Sequence, residues 1–257
     1  MNENPKEIIA SYWSAVAPTY NKKLGHGLHS LEEKVAWQET LQGLLPAPPA
    51  SVLDVGMGTG FLSLLLYELG YQVSGLDIAY PMIHTARSDW TEKEQANMVL
   101  GDAELLPFPS NEFDIIVSRF LIWTLPRPDS AVDEWTRICR PGGVVMTIEG
   151  LWWQHNLLFR LRWALGTLLE KWHDRNLQNE SRPIFEDYYR PSVQKSLPLL
   201  ERPGTGPIKT LFSTCGLTDV SVHKLSVVKN AEQFQLPLRR KLMYQDRYVI
   251  LGSKNLG

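Results

Sequence analysis

The chain has 257 residues, which is long enough for one large α/β domain to bury its core without a disulfide or a metal. Its 26 Lys and Arg residues nearly balance 28 Asp and Glu residues, so we expect a small-molecule substrate and no nucleic acid. Cys139 and Cys215 lie far apart without Cys-x-x-Cys spacing, which argues against a zinc site and a secreted disulfide scaffold. No signal-peptide pattern follows residues 1–6, so a cytoplasmic location is expected.

The first 150 residues divide into a helical leader and an α/β unit. The leader, residues 1–46, is predicted to form two helices within Asn4–Leu45, joined by Asn21–Ser30. In residues 47–150, short β-branched runs alternate with helical patterns, which indicates a parallel sheet covered by helices. The predicted strands are Ser51–Val55, Tyr71–Asp77, Asn97–Gly101, Phe113–Ser118 and Gly143–Glu149. The predicted helices are Phe61–Leu69, Pro81–Arg87 and Ser130–Cys139.

Residues 151–205 read as an insertion after the fifth predicted strand. Its first part, Leu151–Trp172, is predicted to be one helix, and Asp174–Pro207 a loop with short helices. Apolar residues share one face of this helix, roughly 160° wide at about 100° per residue. They are Trp153, Leu157, Leu161, Ala164, Leu165, Leu168 and Leu169. Arg160 and Arg162 argue against a transmembrane span. Residues 206–257 return to the core, with a helix at Ile208–Cys215 and strands at Asp219–Val228 and Asp246–Gly252.

The first predicted strand ends in a glycine-rich turn, with glycines at positions 56, 58 and 60. Glycines permit a sharp turn and close backbone approach, and the next helix offers unpaired N–H groups, so we expect a nucleotide-like ligand here. Dinucleotide-binding enzymes share this element, but their fingerprint needs a small residue where this chain has Phe61. An NAD(P)-dependent oxidoreductase is therefore disfavoured, although it stays as an alternative.

Carboxylates follow the next two predicted strands. Asp77 ends the second strand, where ribose hydroxyls can donate to it; the alternative role is to cap the helix near Pro81. Asp102 follows the third strand and can accept from an exocyclic amine at the rim of the same crevice; the alternative is a turn-forming aspartate. Together with the glycine turn, these residues predict a nucleoside site.

Five motifs over residues 52–149 resemble class I S-adenosylmethionine-dependent methyltransferases, and among them the ubiquinone/menaquinone-type small-molecule group. They are Val-Leu-Asp-Val-Gly-x-Gly-x-Gly, Gly-Leu-Asp-Ile, Gly-Asp-Ala-Glu-x-Leu-Pro-Phe, Phe-Asp-Ile-Ile-Val-Ser and Arg-Pro-Gly-Gly-Val. The resemblance implies S-adenosyl-L-methionine as cofactor and S-adenosyl-L-homocysteine as product. It also implies a Rossmann-like α/β fold with a seven-stranded, mostly parallel sheet, helices on both faces and an antiparallel last strand.

The resemblance also implies roles for single residues. The turn Asp54–Gly60 would form the site, with Gly56, Gly58 and Gly60 along the methionine and ribose portions of the cofactor. Asp77 would hold the ribose hydroxyls. The adenine would meet Ile78 and Met82 on its face and Asp102 and Ala103 at its edge. Ser118 and Arg119 would lie beside the methionine portion, and Tyr20 of the leader would approach the cofactor carboxylate.

No catalytic residue is assigned, because a sulfonium already carries an activated methyl group and alignment with a nucleophile suffices. A general base would matter for some acceptors, and the candidates are Tyr20, His26, His29, Glu149 and His155. His26 and His29 lack a third ligand for a metal. Glu149 either faces the crevice or is a packed carboxylate bonded to backbone. A cofactor-binding module without turnover is a further alternative.

The acceptor is expected to be small and apolar or aromatic, and the resemblance implies that the insertion, residues 151–205, forms an acceptor lid or a subunit contact. Candidate residues for it are Trp123, Trp152, Phe159, Trp163 and Tyr188. Phe159 and Trp163 fall on the otherwise polar face of the predicted insertion helix. Exposed aromatics need a partner, and three are open: a substrate, a second subunit in a homodimer, or a peripheral membrane contact.

Overall fold

The computed structural model describes residues 4–22, 25–90, 97–150, 157–173, 189, 191–202, 204–234 and 236–256. Its centre is a seven-stranded sheet with the strand order β3-β2-β1-β4-β5-β7-β6. The strands are β1 Ser51–Val55, β2 Gln72–Asp77, β3 Asn97–Leu100, β4 Phe113–Arg119, β5 Cys139–Gly150, β6 Leu217–Lys224 and β7 Arg247–Lys254. Strands β1 to β5 pair in parallel, and β7 runs antiparallel to both β5 and β6. The predicted fold class, including the antiparallel last strand, is confirmed.

Helices cover both faces of the sheet. In the leader lie α1 Pro5–Val16, a short 3-10 helix Ala17–Lys22 and α2 Leu31–Leu44. In the central unit lie α3 Phe61–Glu68, α4 Tyr80–Asp89, a 3-10 turn Ile122–Thr124 and α5 Pro128–Ile138. Further along lie α6 Leu157–His173, α7 Pro191–Gln194, α8 Pro198–Glu201, α9 Thr205–Thr214, α10 Ser226–Phe234 and α11 Leu238–Met243. One apolar core includes Trp37 and Leu65, and the other includes Trp135 and Phe212, so the sheet is buried on both sides.

The strand register brings the expected site residues to one edge of the sheet. Val55 pairs with Leu76 of β2 and with Ser118 of β4. The next residue of each strand or turn, Gly56, Asp77 and Arg119, therefore lies at the carboxyl edge. The chain order reverses between β1 and β4, and ligands of open α/β sheets bind at such a switch point.

Two predictions about the last third of the chain are wrong in part. The predicted strand Asp219–Val228 ends at Lys224, because Leu225, Val228 and Ala231 have helical spacing and pack α10 into the core. The insertion helix is described from Leu157, and the side expected to be exposed is the packed one, whereas Leu161, Leu165 and Leu168 of its apolar side are each at least half exposed.

The buried side of α6 instead faces α11. Gly166 permits this contact, since a Cβ there would lie 2.6 Å from Met243 Cγ and 2.8 Å from the Arg239 carbonyl oxygen. Phe159 and Trp163, expected on an exposed face, are half-buried, and their ring centroids lie 5.7 Å apart. A glycine in the middle of a helix was the sequence signal for this close approach.

Candidate functional site

The glycine turn between β1 and α3 forms the floor of a cleft. Gly56, Gly58 and Gly60 all have positive φ angles, which favour glycine. A Cβ at Gly56 would lie 2.8 Å from Leu121 Cδ1, and one at Gly60 would lie 2.9 Å from the Trp90 ring. A Cβ at Gly58 would meet only Tyr20, at 3.9 Å, so the backbone is open to the cleft at this point.

Asp77 joins the end of β2 to this turn. Its Oδ2 accepts a hydrogen bond from the Gly58 N–H at 2.9 Å, and its Oδ1 accepts one from the Ala79 N–H at 2.8 Å. The carboxyl is buried and lines the cleft. Burial raises its pKa to about 6, and the backbone hydrogen bonds oppose that rise. Each oxygen keeps a second lone pair, so the group can also accept from a ligand hydroxyl.

Arg119 places a half-buried positive charge beside the turn. Its guanidinium donates to the carbonyl oxygens of Gly25 and His26 at 3.0 and 2.9 Å and lies 3.7 Å from the centre of the Phe61 ring. Burial lowers its pKa to about 10, so it stays charged at neutral pH. Tyr20 and Arg119 line a small adjoining pocket together with Gly58.

The other end of the cleft is lined by residues that follow β2 and β3. Ile78, Met82 and Ala103 supply apolar walls there. The carboxylate of Asp102 accepts from the Glu104 N–H through Oδ1 and forms an ion pair with Lys6 of α1 at 2.5 Å through Oδ2. Lys6 also forms an ion pair with the buried carboxylate of Glu104, so these two ion pairs hold the N-terminal end of α1 against this end of the cleft.

Residues from both ends line one continuous cleft. Ile9 and Trp13 of α1 form its roof, and Leu121, Leu125 and Pro126 form an apolar wall. The arrangement fits a nucleoside joined to an amino acid: a carboxylate for ribose hydroxyls, an open backbone at Gly58, and a guanidinium for an α-carboxylate. S-adenosyl-L-methionine carries ribose hydroxyls next to its adenine and an α-carboxylate at its methionine end, in the order that this arrangement requires.

Comparisons with known proteins agree with this geometry. A family model described as a methyltransferase domain matches residues 53–147. A phosphatidylethanolamine N-methyltransferase of Cereibacter sphaeroides is 41% identical over 104 residues, 38% of this chain and 49% of that protein. The ubiquinone/menaquinone biosynthesis C-methyltransferase UbiE of Shewanella pealeana is 29% identical over 187 residues, 66% of this chain and 72% of that protein. The chain is a class I S-adenosylmethionine-dependent methyltransferase. It resembles the UbiE group.

Solved structures with low sequence identity share the fold of this methyltransferase. Phosphoethanolamine N-methyltransferase 2 of Haemonchus contortus, in complex with S-adenosyl-L-methionine, superposes with a TM-score of 0.63 at 16% identity, over 98% of this chain and 60% of that one. The [4+2]-cyclase SpnF superposes with a TM-score of 0.59 at 14% identity, over 99% and 98%. The matched region spans about half of the first curated relative above, so the acceptor has to be argued from the cleft.

Two residues expected at the cofactor site, Asp54 of the turn and Ser118, have their side chains turned into the methyltransferase core. Asp54 is buried beneath the turn, where its Oδ2 accepts from Ser63 Oγ at 2.6 Å, and burial raises its pKa to about 6. Ser118 donates to Thr147 Oγ1 at 2.9 Å, and Thr147 donates to Glu149 Oε1 at 2.9 Å. Asp54 borders the small pocket, whereas Ser118 lines neither pocket among the described residues.

The candidate bases occupy different places. Tyr20 lines the cleft, and burial raises the pKa of its phenol, so at neutral pH it is a hydrogen-bond donor. The His26 ring is buried between the rings of Tyr20 and Phe120, and His29 is exposed. Glu149 lies behind the cleft wall, where its Oε1 accepts from the Ile122 N–H at 3.3 Å. His155 falls outside the described residues. No cluster that could hold a metal occurs among the described residues.

The residues predicted to contact the acceptor do not line the cleft where they are described. Trp123 is buried in a cluster with Ile9 and Tyr189, and Phe159 and Trp163 lie on α6. Trp152 and Tyr188 fall outside the described residues. Sequence reasoning missed Lys6 and the contact of Phe61 with Arg119. Neither had a signal in the sequence, because each depends on which distant segment packs against the residue.

Proposed function

We propose that this methyltransferase transfers the methyl group of S-adenosyl-L-methionine to a small acceptor with an apolar or aromatic body. The proposal rests on one observation: Asp77, the open backbone of Gly58 and Arg119 line the same cleft. The curated relatives act, by their names, on quinone precursors or on a phospholipid amine, and all of these acceptors have an apolar body. The apolar wall of Leu121, Leu125 and Pro126 supports an acceptor of that kind.

The bound cofactor supplies an activated methyl group, and the chain's part is binding, orientation and exclusion of water. Asp77 accepts from the ribose hydroxyls, and Arg119 faces the α-carboxylate. Ile78 and Met82 cover one face of the adenine, with Asp102 and Ala103 at its edge. Asp102 reaches the adenine amine through a lone pair that Lys6 leaves available. Tyr20 donates a hydrogen bond at the methionine end.

Direct in-line displacement breaks the S–CH₃ bond, leaves S-adenosyl-L-homocysteine and releases the acceptor's proton to solvent. Of the candidate bases in the described residues, only Tyr20 lines the cleft, and its raised pKa keeps it protonated at neutral pH. Glu149 accepts a hydrogen bond from the N–H of Ile122, the first residue of the 3-10 turn that precedes Leu125 and Pro126. Glu149 therefore positions the apolar wall. His26 supports the ring of Tyr20. We further propose that residues 1–46 act as a lid, that 47–150 and 206–257 form the cofactor-binding core, and that 151–205 complete the acceptor side.

The test is transfer of labelled methyl groups from S-adenosyl-L-methionine by the purified protein. The acceptor panel contains a demethylated quinol, phosphatidylethanolamine in vesicles and a water-soluble primary amine. We expect transfer to one of the first two and none to the amine. Transfer to the amine alone would overturn the apolar acceptor. Tight binding of S-adenosyl-L-homocysteine without methyl transfer to any compound of the panel or to a metabolite extract would favour a role without methyl transfer. That alternative is relevant because SpnF, named a [4+2]-cyclase, has a similar fold.

A further inference from the structure

One face of α6 is apolar and exposed. Its six members, called the leucine face below, each expose at least half of their surface. They are Leu157, Leu158, Leu161, Leu165, Leu168 and Trp172. At about 100° per residue they fall within one sector roughly 100° wide, which is a contiguous stripe along the helix. We propose that the leucine face docks the protein on an anionic lipid surface.

The opposite side of α6 is fixed to the rest of the molecule. Gly166 lies against α11, Thr167 Oγ1 contacts Met243 Sδ at 3.7 Å, and Glu170 forms ion pairs with Arg239 and Arg240. These contacts set the rotation of the helix about its axis. The leucine face therefore points outward because of packing, and it does not turn inward without breaking the contact with α11.

The charges of α6 favour an anionic partner. Arg160 is exposed on one side of the leucine face, and Arg162 is half-exposed on the other. Glu170 is the single acidic residue of the helix, and it is already paired with the two arginines of α11. An apolar stripe containing leucine and tryptophan between basic residues is the pattern of a helix that lies in the plane of a membrane surface.

A second copy of the chain fits this face less well. A two-fold contact joins the same patch on both subunits, so Arg160 and Arg162 of both copies would border the contact. The helix offers no unpaired carboxylate to balance them. An anionic bilayer supplies that charge, and about 1 kcal/mol per basic residue is typical for this attraction.

The attachment is to a surface. Among the described residues, no helix is long and apolar enough to cross a membrane. The leucine face covers less than half of the helix circumference, which suits shallow burial at the boundary of headgroups and acyl chains. Docking of this kind does not depend on the proposed acceptor, and it can be measured without cofactor.

The experiment is flotation of the full chain with vesicles of phosphatidylcholine, with and without phosphatidylglycerol. We expect binding to the anionic vesicles that weakens with salt. The double variant Leu161→Gln/Leu165→Gln should lower the partition coefficient about tenfold or more, because two leucines no longer enter the apolar layer. Arg160→Glu/Arg162→Glu should lower it by a similar factor on anionic vesicles only.

The matched control is Leu31→Gln/Leu256→Gln, which changes two leucines of similar exposure elsewhere and should leave binding unchanged. Affinity for S-adenosyl-L-homocysteine and the circular dichroism spectrum show that each variant is folded. Absence of vesicle binding by the unaltered protein, or equal loss in the control, would overturn the proposal. So would light scattering that shows a dimer dissolved by the leucine-face variant, because the face would then be an interface between copies.

Discussion

Asp77 illustrates how single residues at this site serve two purposes. Its oxygens hold the backbone of the glycine turn and of the segment that leads into α4, and the same carboxylate faces the cleft. The sequence offered a cofactor role and a helix-capping role as alternatives. In the structure Asp77 accepts backbone hydrogen bonds from Gly58 and Ala79 and also borders the cleft. Capping the backbone and binding a cofactor are compatible, because each carboxylate oxygen has two lone pairs.

The titration of Asp77 predicts how cofactor affinity depends on pH. Since its pKa is raised to about 6, the carboxylate that we propose to accept from ribose is ionised at pH 7.5 and becomes protonated as the pH falls below 6. The affinity for S-adenosyl-L-homocysteine should therefore fall from pH 7 to pH 5. Asp77→Asn should weaken binding at pH 7.5 by about 1.5–3 kcal/mol and remove most of this pH dependence. Titration calorimetry measures both effects.

Asp54 serves as the comparison for that experiment, because its pKa is also raised to about 6 but its carboxylate is bonded to Ser63. A pH dependence that persists in Asp77→Asn and disappears in Asp54→Asn would assign the titration to the residue beneath the turn.

The positions of the glycines, Asp77 and Asp102 were predictable because they follow strands at fixed spacing. The hydrogen bonds of Arg119 to Gly25 and His26 were not, because they cross 94 and 93 positions of the chain.

Among the elements, α6 shows where a periodic pattern misleads. The side with Phe159 and Trp163 was expected to be exposed, yet Gly166 on that side packs against α11, and the leucines of the apolar side are exposed. Hydrophobic periodicity reports that a helix has two faces, and it does not report which neighbour each one meets. The strands were predicted better, because buried parallel strands form continuous β-branched runs between turn residues. The number of strands and the antiparallel last strand followed from the family resemblance.

The contact between α6 and α11 can be tested at Gly166. Gly166→Ala places a methyl group 2.6 Å from Met243 Cγ and 2.8 Å from a backbone oxygen, so the helices must separate. We expect the free energy of unfolding to fall by about 1–3 kcal/mol. Gly43→Ala in α2 is the control: a Cβ there meets nothing within 4 Å, and about 0.5–1 kcal/mol of stabilisation is expected from helix propensity. Urea unfolding of both variants decides, and a stabilised Gly166→Ala would contradict the packing.

For the whole molecule, buried carboxyls near the carboxyl edge of the sheet link stability to pH. Burial raises the pKa of Glu149 to about 8 and those of Asp54 and Asp77 to about 6. In the unfolded chain these groups titrate near 4, so the folded protein binds more protons between the two values. Their stabilising contribution is complete below the unfolded pKa and is lost as the pH rises through the folded pKa. Stability should therefore decrease from pH 5 to pH 8.

Glu149 dominates the upper part of that range, since its pKa lies above those of the two aspartates. Between pH 6 and pH 8 stability should fall by up to about 1.4 kcal/mol per pH unit, because Glu149 is ionised in the unfolded chain and still largely protonated in the folded one. The Tm of the cofactor-free protein should fall by several degrees, at ~2–4 °C per kcal/mol. Glu149→Gln should flatten this decline, because the amide still accepts from Thr147 and the Ile122 N–H but does not ionise. Glu39→Gln, which removes an exposed carboxylate from α2, should keep the slope of the unaltered protein. Calorimetric melts across the range measure the slopes, and an unchanged slope in Glu149→Gln would place the proton uptake elsewhere.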